Sequence, residues 1–151
     1  SEGDIVLVDC GCILDGYCAD LTRTFVSGRI MGDWFKEIYQ AVLQAQQAGV
    51  ASLRAGATAK DVDAAARRII NDAGYGAHFG HGLGHGVGLE VHETPRLNMQ
   101  SETVLQAGMA VTVEPGIYLP GRGGVRIEDL TVVTETGCEV LTGLPKELQV
   151  I

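Results

Sequence analysis

The four cysteines of this 151-residue sequence, Cys10, Cys12, Cys18 and Cys138, include no CxxC pair. Three of them crowd one short stretch, which suggests neither a zinc knuckle nor a disulfide framework, so they read as reduced thiols in a cytoplasmic protein. Long apolar runs are missing too: none approaches the length of a membrane span, and no signal peptide opens the chain. There is no initiator Met. The sequence begins SEGDIVLVD, runs almost at once into an apolar stretch, and so reads as a piece of something longer. Basic residues are few and scattered, eleven against nineteen acids for a formal charge of −8. Phosphate backbones are bound by clustered Lys and Arg, so nucleic acid is set aside as a partner. Repeats, low-complexity tracts and charge blocks are absent as well. What is present, 46% hydrophobic residues, suffices for one domain with a real core. Most of its acids, such as Glu37, Asp61 and Glu147, read as a solvated surface.

The run from Ile5 to Val8 is continuously apolar and ends in Asp9, which predicts a buried strand. A second strand is expected over Asp20 to Val26. Between them Asp15-Gly16 suits a two-residue type I′ turn, whose two central positions need positive φ. That turn sets Leu14 opposite Tyr17, Asp20 opposite Gly11 and Asp9 opposite Thr22, so Asp9 and Asp20 share a face as diagonal neighbours.

Phe35, Ile38, Tyr39, Val42 and Leu43 have helical spacing and predict a helix from Trp34 to about Leu53, ended by Gly56. A second helix is expected from Thr58, capped with Asp61, to Gly74, with Val62, Ala65, Ala66, Ile69 and Ile70 as its apolar stripe. Both read as scaffold covering a sheet. The segment GHGLGHGVG, Gly80 to Gly88, carries glycine at every second position, too costly in backbone entropy for a helix, and must be loop or extended strand. Met109 to Glu114 and Val125 to Val133 read as strands flanking the loop PGIYLPGRGG.

Asp9, Asp20, His81, His85, His92, Glu114 and Glu128 lie next to glycine or at strand ends. Singly, each has an ordinary alternative as a turn cap or a satisfied histidine. Together they point further, because a hairpin centred near Gly121 sets Glu114 opposite Glu128. Two carboxylate pairs then project from neighbouring strands and repel unless a cation neutralises them. Four carboxylates and one imidazole exceed one tetrahedral site but suit two ions about 3.5 to 4 Å apart. Oxygen-rich ligation without thiolate leans toward Mn²⁺, with Co²⁺, Fe²⁺ and Zn²⁺ also compatible. His81 and His85 stand four apart, but the glycines forbid the helix of an HExxH site and position 82 is not Glu. In an extended chain both point the same way, so one can bind metal while the other faces substrate. Alternating glycine also admits close approach of a peptide backbone.

The motifs VDCGCILDGYCADLTRTF, HGLGHGVGLEVHETP and VTVEPGIYLPGRGGVRIEDL resemble the Xaa-Pro branch of the pita-bread metallopeptidases, which includes aminopeptidase P and Xaa-Pro dipeptidase. The context GVRIEDL around Glu128 separates the chain from methionine aminopeptidases, where the last ligand stands in a context like QFEHT. The resemblance implies an α+β, pita-bread fold: a curved, antiparallel-rich sheet covered by helices. Residues 1–151 would be the C-terminal portion of a metallopeptidase catalytic domain, with the upstream part absent. It implies two divalent metal ions on Asp9, Asp20, His85, Glu114 and Glu128, and a peptide substrate with proline at its second position. His81 and His92 would line the substrate pocket. Glu114 would shuttle the proton of an attacking water, and His92 would stabilise the developing oxyanion. Arg126 would pair with an active-site carboxylate, its alternative being an ordinary strand-surface arginine. A homodimer is the candidate assembly, and membrane association is not expected. Two other readings stay open: a methionine-aminopeptidase-like hydrolase, and a non-catalytic binding protein on the same fold. The fragment alone is expected to turn over weakly or not at all.

Overall fold

The computed structural model describes residues 1–30 and 32–151. It opens with strand β1 (Ile5–Cys10), the short pair β2 (Ile13–Leu14) and β3 (Tyr17–Cys18), and β4 (Leu21–Val26). Asp15 and Gly16 have φ of 51° and 87°, so the expected type I′ turn forms. The ladder it sets carries Leu14↔Tyr17 through Asp9↔Thr22 to Ile5↔Val26 without a slip. The expectation of a buried β1 does not hold. Its side chains are half-buried at first and exposed from Val8, which is 40% exposed, onward. β1 is the edge strand of a sheet ordered β1-β4-β12, where β12 (Gln149–Val150) runs parallel to β4, so only one of its edges is paired.

Helices α1 (Asp33–Ser52) and α2 (Ala59–Asp72) match their expected spans within two residues. Thr58 caps α2 by accepting from the Asp61 amide at 3.3 Å, and Gly74, at φ 84°, ends it. Phe35, Ile38, Tyr39 and Val42 of α1 and Val62, Ala66 and Ile70 of α2 are buried in one core with Leu83, Val111, Val113, Ile117 and Ile127. The helices touch each other and the sheet closely at Gly49, where a Cβ would stand 2.8 Å from Val113 Cγ1 and 3.2 Å from Leu83 Cδ2.

The remaining strands are β5 (Gly84–Gly86), β6 (Glu93–Leu97), β7 (Ala110–Val113), β8 (Gly116–Leu119), β9 (Gly123–Arg126), β10 (Asp129–Val133) and β11 (Cys138–Val140). Five of them form a sheet ordered β11-β10-β7-β5-β6, antiparallel throughout. Here the structure corrects two expectations. The segment PGIYLPGRGG is mostly the hairpin β8–β9 rather than an irregular loop, and the strand expected over Val125 to Val133 is broken at Ile127–Glu128. The break has a physical cause: the Glu128 amide donates to Thr22 O of β4 at 3.1 Å, and the Glu114 amide donates to Leu83 O at 2.7 Å. Both acids therefore sit where the ladder changes partners. The register Gly116↔Arg126 on one side and Val113↔Asp129 on the other still sets Glu114 across from Glu128.

β5 lies between β6 and β7, and this explains its glycines. A Cβ on Gly84 would stand 2.0 Å from Thr112 O, and one on Gly86 2.2 Å from Thr94 O. The backbone that approaches these glycines is the chain's own neighbouring strands.

Candidate metal centre

β1, β4, β5, and the breaks between β7 and β8 and between β9 and β10 converge on one cluster. Three sets of side chains in it have potential ligand atoms within 4.8 Å of one another: Asp9, Asp20 and Glu128; His85, Glu114 and Glu128; and Asp20, His85 and His92. Every residue expected in the cluster from sequence is brought there except His81, which lines the adjoining pocket. His92 offers a ring nitrogen to the cluster as well, its ring centroid 4.3 Å from that of His85.

His85, 5% exposed, is aimed by both of its ring nitrogens. Nδ1 lies 3.1 Å from Gly86 O, a carbonyl that can only accept, so Nδ1 carries a proton and Nε2 faces the acids. Nε2 is 3.1 Å from Glu114 Oε1 and 3.7 Å from Asp20 Oδ2. Burial works to lower the His85 pKa, but the Glu114 and Gly86 hydrogen bonds outweigh it and raise it above its usual value. Thr112 stands behind this pair, accepting from the His85 amide at 3.1 Å and donating to Glu114 Oε1 at 3.4 Å.

Glu128 is the most confined acid, 2% exposed. Thr22 Oγ1 donates to its Oε2 at 2.6 Å, while Oε1 is, among the described residues, the buried side-chain oxygen left without any hydrogen-bond partner. Burial, and after it the charge of Glu114, pushes this carboxyl from 4.5 up to about 8. Asp20 is raised too, by burial first and then by Asp9. A cluster that holds Glu128 and Asp20 away from their ordinary state, with one oxygen unpartnered, fits a bound cation.

Arg126 gives the cluster a fixed positive charge. Its Nη2 pairs with Asp9 Oδ2, its Nη1 donates to the Tyr118 hydroxyl at 3.1 Å, and its Nε donates to Thr22 Oγ1 at 3.2 Å. Glu114 Oε2 lies 4.0 Å from the same Nε. The hydrogen-bond chain continues from Tyr118 to His81. His81 Nδ1 is 2.7 Å from Gly82 O, so it donates there, and its Nε2 accepts from the Tyr118 hydroxyl at 2.9 Å. Both nitrogens of His81 thus have partners within the protein. Tyr118, Thr22 and Thr112 were not anticipated from sequence. The β8–β9 register could have flagged Tyr118, two residues from Gly116 on the strand that leaves Glu114.

A cavity of about 400 Å³ opens on the cluster, lined by His81, His85, His92, Glu114, Tyr118 and Arg126 among others. A larger one of about 630 Å³ lies between Ile5, Trp34 and Arg122, away from the acids. Chemistry, rather than size, selects the first. All four cysteines are free, and among the described residues no helix is long and apolar enough to cross a membrane.

The profile of metallopeptidase family M24 matches residues 1–135. An Xaa-Pro dipeptidase of Pyrococcus horikoshii is 51% identical over 147 residues, covering 97% of this chain and 42% of that protein. Among solved structures, an Xaa-Pro dipeptidase from Bacillus anthracis superposes with a TM-score of 0.97 at 54% identity, over 99% of this chain and 42% of the other. An X-Pro aminopeptidase from Thermotoga maritima does so at 0.96 and 45% identity, again over 99% and 42%. The fold is the C-terminal portion of the pita-bread fold, as its motifs implied. The chain spans about two fifths of the length of the relatives it matches.

Proposed function

This chain belongs to metallopeptidase family M24, and we propose that residues 1–151 are the C-terminal portion of a catalytic domain that hydrolyses the peptide bond preceding proline. Support for the substrate comes from relatives named Xaa-Pro dipeptidase at about half identity. The same relatives favour this reading over a methionine aminopeptidase or a non-catalytic binding protein. The observation that carries the metal chemistry is the unpartnered Oε1 of Glu128, a residue that two potential ligand sets share.

Asp9, Asp20, His85, Glu114 and Glu128 would hold two divalent ions, Glu128 belonging to two of the potential ligand sets. The donors are mainly carboxylate oxygens, so Mn²⁺ is the first choice, ahead of Co²⁺, Fe²⁺ and Zn²⁺. When bound, such ions acidify water and polarise the scissile carbonyl. The protein's own groups do the rest. Glu114, half-buried at the pocket, takes the proton of the attacking water and passes it to the leaving proline nitrogen. His92, exposed beside His85, donates to the oxyanion that develops on the carbonyl. Arg126 holds Asp9 and the Tyr118 hydroxyl in place, and through Tyr118 keeps His81 in one tautomer at the pocket wall. A free His81 Nε2 would require the Tyr118 hydroxyl to turn away, so we place His81 in substrate contact only after that exchange.

We further propose a cytoplasmic protein, consistent with four free cysteines, and a homodimer as its assembly. The test is a side-by-side assay of Ala-Pro and Met-Ala peptides with the Mn-reconstituted full-length parent, since residues 1–151 alone are expected to turn over weakly or not at all. Cleavage of Ala-Pro alone is expected; equal or preferred cleavage of Met-Ala sinks the substrate assignment.

A further inference from the structure

α2 carries an acid and a base that its scaffold role does not need. Asp63 is fully buried and Arg67, one turn on, is 12% exposed. They form a bidentate pair, Nε to Oδ2 at 2.7 Å and Nη2 to Oδ1 at 2.8 Å. Burying two charges costs much of what their attraction returns, and an apolar pair would cover the sheet as well. The pair's remaining contacts show where it acts. Arg67 donates to Phe79 O at 3.0 Å and to His81 O at 2.8 Å, and Asp63 accepts from the Leu83 amide at 3.0 Å.

Phe79, His81 and Leu83 are alternate residues of the segment that enters β5. The residues between them are Gly80 and Gly82, which give the backbone no stiffness of its own. Two of the held residues lead into the site. Leu83, gripped at its amide by Asp63, accepts at its carbonyl from the Glu114 amide at 2.7 Å. His81, gripped at its carbonyl, has its ring edge-on to Phe79 at 5.0 Å and bonded to Tyr118. The Arg67 guanidinium lies over that same Phe79 ring, 4.1 Å from its centroid.

We propose that Asp63 and Arg67 are positioning residues for the hydrolytic site, fixing residues 79–83 so that His81 and the Glu114 backbone keep their places. This rests on the peptidase reading above. Lysine at 67 keeps the charge opposite Asp63 but cannot reach both carbonyls at once. In the metal-loaded full-length parent, Arg67→Lys is expected to lower kcat for Ala-Pro by about ten- to a hundredfold, the scale of a small misplacement of catalytic groups. Metal content and thermal midpoint should stay near wild type. Arg67→Ala, the second variant, should regain turnover when guanidinium is added. In the metal-free protein, the ¹⁵N signals of the His81 ring should move from one fixed tautomer toward an averaged one in Arg67→Lys. Turnover within twofold of wild type, or a loss that follows only the folded fraction or the metal content, overturns the proposal. So does an unchanged His81 spectrum. If wild type fails to cleave Ala-Pro, the substrate reading fails, while the His81 spectrum still decides this inference.

Discussion

Replacing Glu128 with glutamine should stabilise the metal-free protein at alkaline pH while removing its response to metal. The carboxyl titrates at 4.5 when unfolded and at about 8 when folded. Below pH 4.5 it is protonated in both states and costs nothing. Between 4.5 and 8 the unfolded chain gives up the proton while the folded one keeps it, so stability falls as pH rises through that window. At about 1.4 kcal/mol per pH unit, the loss between pH 5 and 8.5 approaches about 4 kcal/mol. Relaxation of the surrounding acids brings the expected figure to about 2 to 4 kcal/mol. His85 acts in the same direction: its raised pKa adds stability below about pH 6.5 that is lost as pH climbs past its folded value. Urea denaturation of metal-free wild type at pH 5, 7 and 8.5 should show this slope. Glu128→Gln should flatten most of it and stand about 2 kcal/mol above wild type at pH 8.5, the rest going to an unsatisfied buried amide. Adding Mn²⁺ at a hundred times its dissociation constant should add about 2.7 kcal/mol to wild type and little to the variant. If Glu128→Gln is less stable than wild type by the same amount at every pH, the acid is not strained and the reasoning is wrong.

In the full-length parent, Glu114→Gln should retain its fold and lose turnover by about a hundredfold to ten thousandfold, the usual worth of a general base, as measured by Ala-Pro hydrolysis with metal content checked in parallel; full activity with metal bound would remove Glu114 as the proton shuttle. Gly84→Ala puts a methyl 2.0 Å from Thr112 O, a backbone atom held within the sheet. It should cost about 2 kcal/mol or more in urea unfolding, and an effect under about 0.5 kcal/mol would contradict the close packing described. Tyr118→Phe deletes the donor to His81 Nε2 and an acceptor of Arg126, so the ¹⁵N signals of the His81 ring should move away from those of one fixed tautomer while metal binding persists; a ring spectrum that superimposes on wild type would show that this hydrogen bond is idle.

Much of the site was legible because short turns set long registers. Asp15-Gly16 leaves one turn type open, and from it follows the Asp9↔Thr22 pairing that brings Asp9 and Asp20 to one face. Gly121 does the same for Glu114 and Glu128. The break at Ile127–Glu128 was not legible, since it depends on Thr22, more than a hundred residues earlier, capturing the Glu128 amide. Nor was the exposure of β1, whose apolar run reads the same in a central strand as at an edge. Asp63 and Arg67 were hidden for another reason. An acid and a base four apart on a helix ordinarily mark a solvated face, and only tertiary packing turns that face onto residues 79–83. Tyr118 lay inside a segment read as loop, where periodicity assigns no side.

We propose that the acids gathered around Glu128 hold two cations. The measurement that addresses it most directly is an anomalous-scattering map of crystals of the protein reconstituted with Mn²⁺. Two peaks about 3.5 to 4 Å apart, both within reach of Glu128 and flanked by Asp9, Asp20, His85 and Glu114, are predicted. No peak there, or peaks that leave Glu128 Oε1 without a partner, would contradict it.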